Sequence, residues 1–302
     1  ERPVKVKGNQ LRLGKLGIYT TGKNPFTSDG KVDFRNMGRP TANLELLAEN
    51  YTLLDAPRTR ESLVYGKVFV DLHATVKGPL DGLTMRGNMN LLGNTNVTYV
   101  LTDSPLTVED QLSGLVTFTS FTATTAGKAD EVPAMSLGGL EMYMSVHIDE
   151  AVRLRADLSP DRSKYIELEG GGDLNMQYTP QGDMSLTGRY TLSGGVMKYS
   201  LPIIPLKEFQ FNPGSYVDWR GNIMNPTLSL KATERMRASV ADGDGDGSRM
   251  VNFDVSISIK NRLDAPDLIF DISAPEDAAV ENGLQAMGAE ERSKQAIAML
   301  AT

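Results

Sequence analysis

Residues 251–260 read VNFDVSISIK, with Val251, Phe253, Val255, Ile257 and Ile259 apolar and every residue between them polar. Extended backbone, whose side chains point alternately to two faces, separates these two sets cleanly. A strand written this way has one oily side and must place something against it. That requirement recurs along most of the chain and limits the fold more than any other feature.

Val68, Val70, Leu72, Ala74 and Val76 share one face, as do Met184, Leu186, Gly188, Tyr190 and Leu192, and then Leu228, Leu230 and Ala232. The text predicts strands at Val4–Lys7, Gln10–Tyr19, Gly30–Asn36, Thr41–Ala48, Leu63–Lys77, Gly82–Leu92, Thr95–Leu101 and Gly114–Thr119. It predicts further strands at Leu140–Ile148, Ala151–Leu158, Tyr165–Glu169, Asp173–Tyr178, Met184–Leu192, Gly195–Ser200 and Phe209–Phe211, then at Tyr216–Gly221, Thr227–Ala232, Val251–Lys260 and Leu268–Ile272. Most links are short and hold Gly, Pro, Asn or Asp, which suits an antiparallel meander. The segments 66–72 with 76–87, and 172–178 with 182–190, repeat a strand, a glycine-bearing turn and a strand, as in architectures that grow by stacking. The seventeen strands from Gly30 onward, at about 4.8 Å spacing, would make an unclosed sheet roughly 80 Å long. Sheets beyond about ten strands curl or divide.

Two regions break the alternation. Residues 119–131 are small and polar and read as a loop. After Pro275 the pattern turns helical: Glu276 and Asp277 suit a helix start, Glu290 and Lys294 stand four residues apart, and Ala296, Ile297, Met299 and Leu300 fall on one side. This segment is either a cap packed on the last strands or a helix that docks a partner, with Ile297 and Leu300 as the candidate contacts. The division expected is 1–170, a repeated β segment; 171–274, a second β region; and 275–302, a helical tail.

Little in the chain points to chemistry. Its formal charge of −7 and lack of basic runs argue against nucleic acid. The absence of cysteine removes disulfides, thiolate catalysis and zinc–sulfur sites. His73 and His147, the two histidines, stand near Asp71 and Asp149 without further convergent ligands, and read as ordinary surface imidazoles. Asp242, Asp244, Asp246 and Gly247 match positions 1, 3, 5 and 6 of a calcium loop, but position 12 is Phe253 rather than Glu. This is an acidic loop with at most weak Ca²⁺ affinity. No G-x-S-x-G elbow or phosphate-binding glycine loop appears, no cofactor is expected, and the chain is read as a non-enzyme. No run is apolar for the roughly 18 residues of a membrane helix. Leu201–Leu206, broken by two prolines, belongs at an edge or rim.

Residues 171–302 resemble the C-terminal region of the TamB family of translocation and assembly module proteins, with AsmA-type relatives. The resemblance rests on residues 182–199, Phe209–Phe211, the block from Gly214 through Trp219, Gly221 and Asn225-Pro226 to Ala232, and 266–275 with the closing helix. Residues 1–170 fit the family's less distinctive repeats. The resemblance implies an all-β, curled, mostly antiparallel sheet, a taco or open tube with a hydrophobic groove, ending in a short helix. It implies a periplasmic protein held in the inner membrane by an N-terminal helix outside this segment, carrying phospholipid toward the outer membrane with an Omp85-type, TamA-like partner. A scaffold for assembly or secretion of outer-membrane barrels and autotransporters is the alternative, and a plain β-domain with a closed core is a third.

The groove lining expected from alternation is Val68, Val70, Leu72, Val76, Met184, Leu186, Tyr190, Leu192, Val217, Trp219, Leu228, Leu230, the five apolar residues of 251–259, and Leu268, Phe270 and Ile272. Such a face suits acyl chains, each buried methylene contributing about 0.8 kcal/mol.

Overall fold

In a computed structural model, residues 4–59, 62–100, 139–159, 161–201, 204–241 and 247–302 are described. The strand predicted at Gly114–Thr119, the loop at 119–131 and the acidic triad Asp242, Asp244 and Asp246 lie outside them. The described chain runs through β1 (Val4–Lys7), β2 (Gln10–Ile18), β3 (Phe26–Asp33), β4 (Thr41–Ala56), β5 (Val64–Pro79), β6 (Thr84–Leu91), β7 (Asn96–Val100) and β8 (Glu141–Ile148). It continues with β9 (Arg153–Asp157), β10 (Tyr165–Tyr178), β11 (Met184–Leu201), β12 (Ile204–Phe211), β13 (Tyr216–Asn222), β14 (Thr227–Ala241), β15 (Ser248–Arg262) and β16 (Asp267–Ser273), and closes with α1 (Ala278–Ala286) and α2 (Ala289–Leu300).

These strands form one 16-stranded sheet with β1 and β16 as its two ends, and among the described residues it does not close on itself. The all-β, mostly antiparallel expectation holds. The meander fails at one place. β6 pairs with β8 in parallel, from Thr84–Glu141 to Leu91–Ile148, and β7 pairs with β9 in parallel, from Asn96–Arg153 to Val100–Asp157. Two antiparallel halves therefore meet at a parallel seam. The boundary expected after residue 170 falls inside β10.

Several strands are longer than the alternation suggested, because a bulge flips the pattern without ending the strand. β10 runs through Gly170-Gly171-Gly172, with its register slipping between Glu169 and Gly170. A Cβ on any of these glycines would run into backbone of a neighbouring strand, at Thr191, Ile148 and Arg189 in turn. β4 likewise continues to Ala56 through slips after Ala48 and Thr52, with Asn50 in the left-handed region (φ 44°) and its N–H held by Asp71 Oδ1 at 2.7 Å.

The tail folds as two helices. Asp277 caps α1, its carboxylate accepting the Val280 N–H at 3.1 Å, and Gly288 separates α1 from α2. The Glu290–Lys294 pair forms at 2.8 Å.

Candidate functional site

The strand registers carry the apolar lining straight across the seam. One row reads Ala48, Leu72, Met89, Val146, Leu174, Gly188 and Trp219. The next reads Leu46, Ala74, Gly87, Met144, Met176, Leu186 and Gly221. Beyond β13 the face continues as Leu230–Ile259–Leu268, Ala232–Ile257–Phe270 and Met236–Phe253. All but a small group around Ala48, Tyr51 and Val70 belong to one continuous hydrophobic cluster that ends in the helices.

A crease runs across the strands. β6 and β7 are one row of the sheet interrupted at residues 92–95, β8 and β9 one row interrupted at 149–152, and β13 and β12 one row interrupted at 212–215. The bulges of β4 and β10 fall on the same line, as does Ser193 of β11, whose hydroxyl ties to the carbonyls of Glu150 and Glu169. Each interruption makes a turn, with Thr95, Val152 and Ser215 N–H donating to the carbonyls of Leu92, Asp149 and Asn212.

At two interruptions the adjacent strand's carbonyl still accepts a backbone N–H, Leu92 to Phe69 and Asn212 to Lys231, but its own N–H is left without a backbone partner, and a buried unpaired group costs about 1–3 kcal/mol. Two buried hydroxyls remove that cost. Thr95 Oγ1 accepts from the Phe69 N–H (3.0 Å) and donates to its carbonyl (3.3 Å), while Ser215 Oγ does the same for Lys231, at 3.0 and 3.3 Å. Aligned bulges bend neighbouring strands together, so the sheet folds along the crease into a trough with the apolar rows inside.

The helices occupy one end of this trough. α2 packs chiefly on β16 and also touches β15 and β12. Because β12 and β16 are three places apart in the sheet order, these strands curl round the helix. Ala296 and Leu300 are fully buried and Ile297 half-buried, all within the main cluster. Beneath them the inner face of β15 is sealed, with Val255 at 0% exposure. Polar contacts hold the pair: Arg249 grips Asp277 at 2.7 Å, Arg292 meets Asp271 at 2.9 Å, and Arg235 and Asn252 share Glu276. The Val280 N–H, the Arg249 guanidinium and their neighbours hold the Asp277 carboxyl below its ordinary range.

The predicted lining shares the apolar face of the sheet. Val70, Val76, Leu186, Tyr190, Leu192, Val217, Leu228, Leu230, the five apolar residues of β15, Phe270 and Ile272 are buried. Val68, Leu72, Trp219 and Leu268 are half-buried, and Met184 is 43% exposed. Trp219 is oriented by its indole N–H, which donates to the Ile223 carbonyl at 3.0 Å. Burial raises the Tyr190 phenol, whose hydroxyl has no partner. His73 and His147 sit on the outer face against Glu45 (2.9 Å) and Asp173 (2.7 Å), partners that sequence proximity did not identify. Among the described residues no group of carboxylates and histidines forms a metal site, and no helix is long and apolar enough to cross a membrane.

The crease residues Thr95 and Ser215 escaped the reading by alternation. Their signal was present in the turn text Leu92-Gly-Asn-Thr95 and Asn212-Pro-Gly-Ser215. The most specific sequence block proves to be the second of these turns plus its neighbours. Asn225 pairs with Asp264 through both its side-chain amide groups, and Pro226 accepts the Leu263 N–H.

A family model described as the TamB C-terminal domain matches residues 15–302. No curated protein matches the chain.

Proposed function

The chain belongs to the TamB family, and from that premise we propose that it carries phospholipid along the concave face of its sheet, between the inner and outer membranes. Family membership suggests a role in outer-membrane assembly or lipid transport and a place in the cell envelope. The observation that favours lipid is the continuous apolar lining on an unclosed sheet, which crosses the parallel seam without a polar interruption. An acyl chain needs only a dry, featureless surface of this kind. An Omp85-type barrel would receive the lipid at the outer membrane, and an anchor outside this segment would hold the protein to the inner one.

The test is photo-crosslinking to labelled phospholipid from Leu72 and Met89, where the lining is half-buried, and from Val255, beneath the helices. Lipid adducts at Leu72 and Met89 are the expected result, with few at Val255. Adducts restricted to unfolded barrel polypeptide would replace lipid transfer with the assembly-scaffold reading.

A further inference from the structure

One stretch of the concave face is not apolar. β11 carries Tyr199 on the same side as the buried Met197, and its register partner on β12 is Lys207, which shares a face with Phe209 and Phe211. Lys164, just before β10, places its ammonium 5.9 Å from the centre of the Tyr199 ring. On β14, Glu234 continues the inner set Leu228, Leu230 and Ala232 and faces Val255 of β15. All four side chains are half-buried.

The sheet forks here. β12 and β14 pair only at Gln210–Thr233 and Phe211–Ala232, then separate, leaving Lys207 and Glu234 on opposite lips. Glu234 Oε2 is buried with no hydrogen-bond partner. Burial pushes its carboxyl up, and the Lys207 cation opposes that shift, so the two groups feel each other without forming an ion pair. A buried carboxylate oxygen left unpaired costs stability that a cationic ligand would recover. Lysines flanking a phenol on one lip suit a phosphate, which takes charge-assisted hydrogen bonds.

We propose that Lys164, Lys207 and Glu234 form a station for a phosphoethanolamine headgroup, with phosphate at the lysines and ammonium at Glu234. The station rests on the lipid-carrying reading above and adds a headgroup preference to it. An anionic lipid without an amine would use the lysines alone and leave Glu234 unpaired.

Incubating the chain with vesicles of equimolar phosphatidylethanolamine and phosphatidylglycerol, then identifying bound lipid by mass spectrometry, tests this. The wild-type chain enriches phosphatidylethanolamine. Glu234→Gln lowers that enrichment about fivefold, equivalent to about 1 kcal/mol, and Lys207→Gln lowers uptake of both lipids. Glu45→Gln, on the outer face, matches wild type. Glu234→Gln removes an unpaired charge and keeps the side-chain shape, so its thermal melt stays at or above the wild-type midpoint. Lipid bound in vesicle proportions, or an unchanged ratio in Glu234→Gln, overturns the station while leaving lipid carriage intact. No lipid of either kind on the wild-type chain sinks the carriage reading, and the station with it.

Discussion

Before the parallel seam, Leu46, Leu72, Met85 and Met89 line the trough as half-buried side chains, whereas beyond it the inner face of β15 is shut away beneath α2. The rows are written alike, with aliphatic residues alternating with polar ones, so side-chain type does not distinguish them. What differs is the cover. At the C-terminal end the chain supplies its own filling, Ala296 and Leu300, and fastens it with Arg249–Asp277 and Arg292–Asp271. Before the seam no helix packs on the rows among the described residues: Phe26 and Tyr51 pack with Ala48 and Val70, which are buried, while Leu46, Leu72, Met85 and Met89 stay half-buried. An oily strand face is thus only a demand for burial, and the same demand is met fully by core packing in one region and only in part in the other.

The largest expected effect comes from untying the two regions. Asp157 of β9 is fully buried and holds Tyr65 of β5 (3.1 Å), Arg155 (2.8 Å) and Arg162 (3.6 Å). Asp157→Ala strands two arginines beside an emptied site and lowers stability by about 3–5 kcal/mol, read by urea denaturation. A loss below about 1 kcal/mol would mean that the regions hold together without this knot.

Next comes the same substitution in both places. Leu300→Ala opens a cavity in a sealed core and costs about 2–5 kcal/mol, while Leu72→Ala in the half-covered rows costs about 1 kcal/mol. Equal losses would erase the contrast between filled and open ends. Thr95→Val and Ser215→Ala each leave a strand N–H, of Phe69 and Lys231, without its partner and cost about 1–2 kcal/mol. Distant sites without shared partners add, so the double variant loses the sum. A double variant no worse than either single would show that the crease is not stitched independently on the two sides.

The smallest effect is on pH. Asp277 has its pKa depressed in the folded chain, so its contribution is complete above the ordinary carboxylate value of about 3.9 and disappears as pH falls through the lowered one. Melting midpoints of wild type and Asp277→Asn should differ at neutral pH and converge in acid, while the Leu72→Ala difference persists throughout. A constant gap for Asp277→Asn would remove the carboxylate from the latch.

Alternation made the lining legible because a strand's period of two writes its faces directly into the text. Val4–Lys7 and the core of Val251–Lys260 were readable for that reason. It failed at the bulge where Ser193 of β11 slips past Glu169-Gly170 of β10: the inner set of β11 passes from Leu192 to Met197, and β10, its parity unchanged, reads as two strands across its three glycines. It also could not show that β6 turns to β8 in parallel, since pairing direction depends on a connection and not on either strand's own residues. The fork beside Glu234 was invisible for the same reason. A glutamate following Leu228, Leu230 and Ala232 reads as the end of a strand, yet β14 continues to Ala241 with that carboxylate facing inward.

The parallel seam also bears on how the chain reaches its native form. Hairpins such as β10–β11 join neighbours in sequence, so each closes quickly around a short loop. The seam must bring Thr84 to Glu141 and Val100 to Asp157, contacts that exist only after the intervening chain has been made. Non-local pairings of this kind set the slow step in β folding. Each half can therefore mature as a separate meander, and the trough becomes continuous only at the last and slowest event, when the two are zipped side by side.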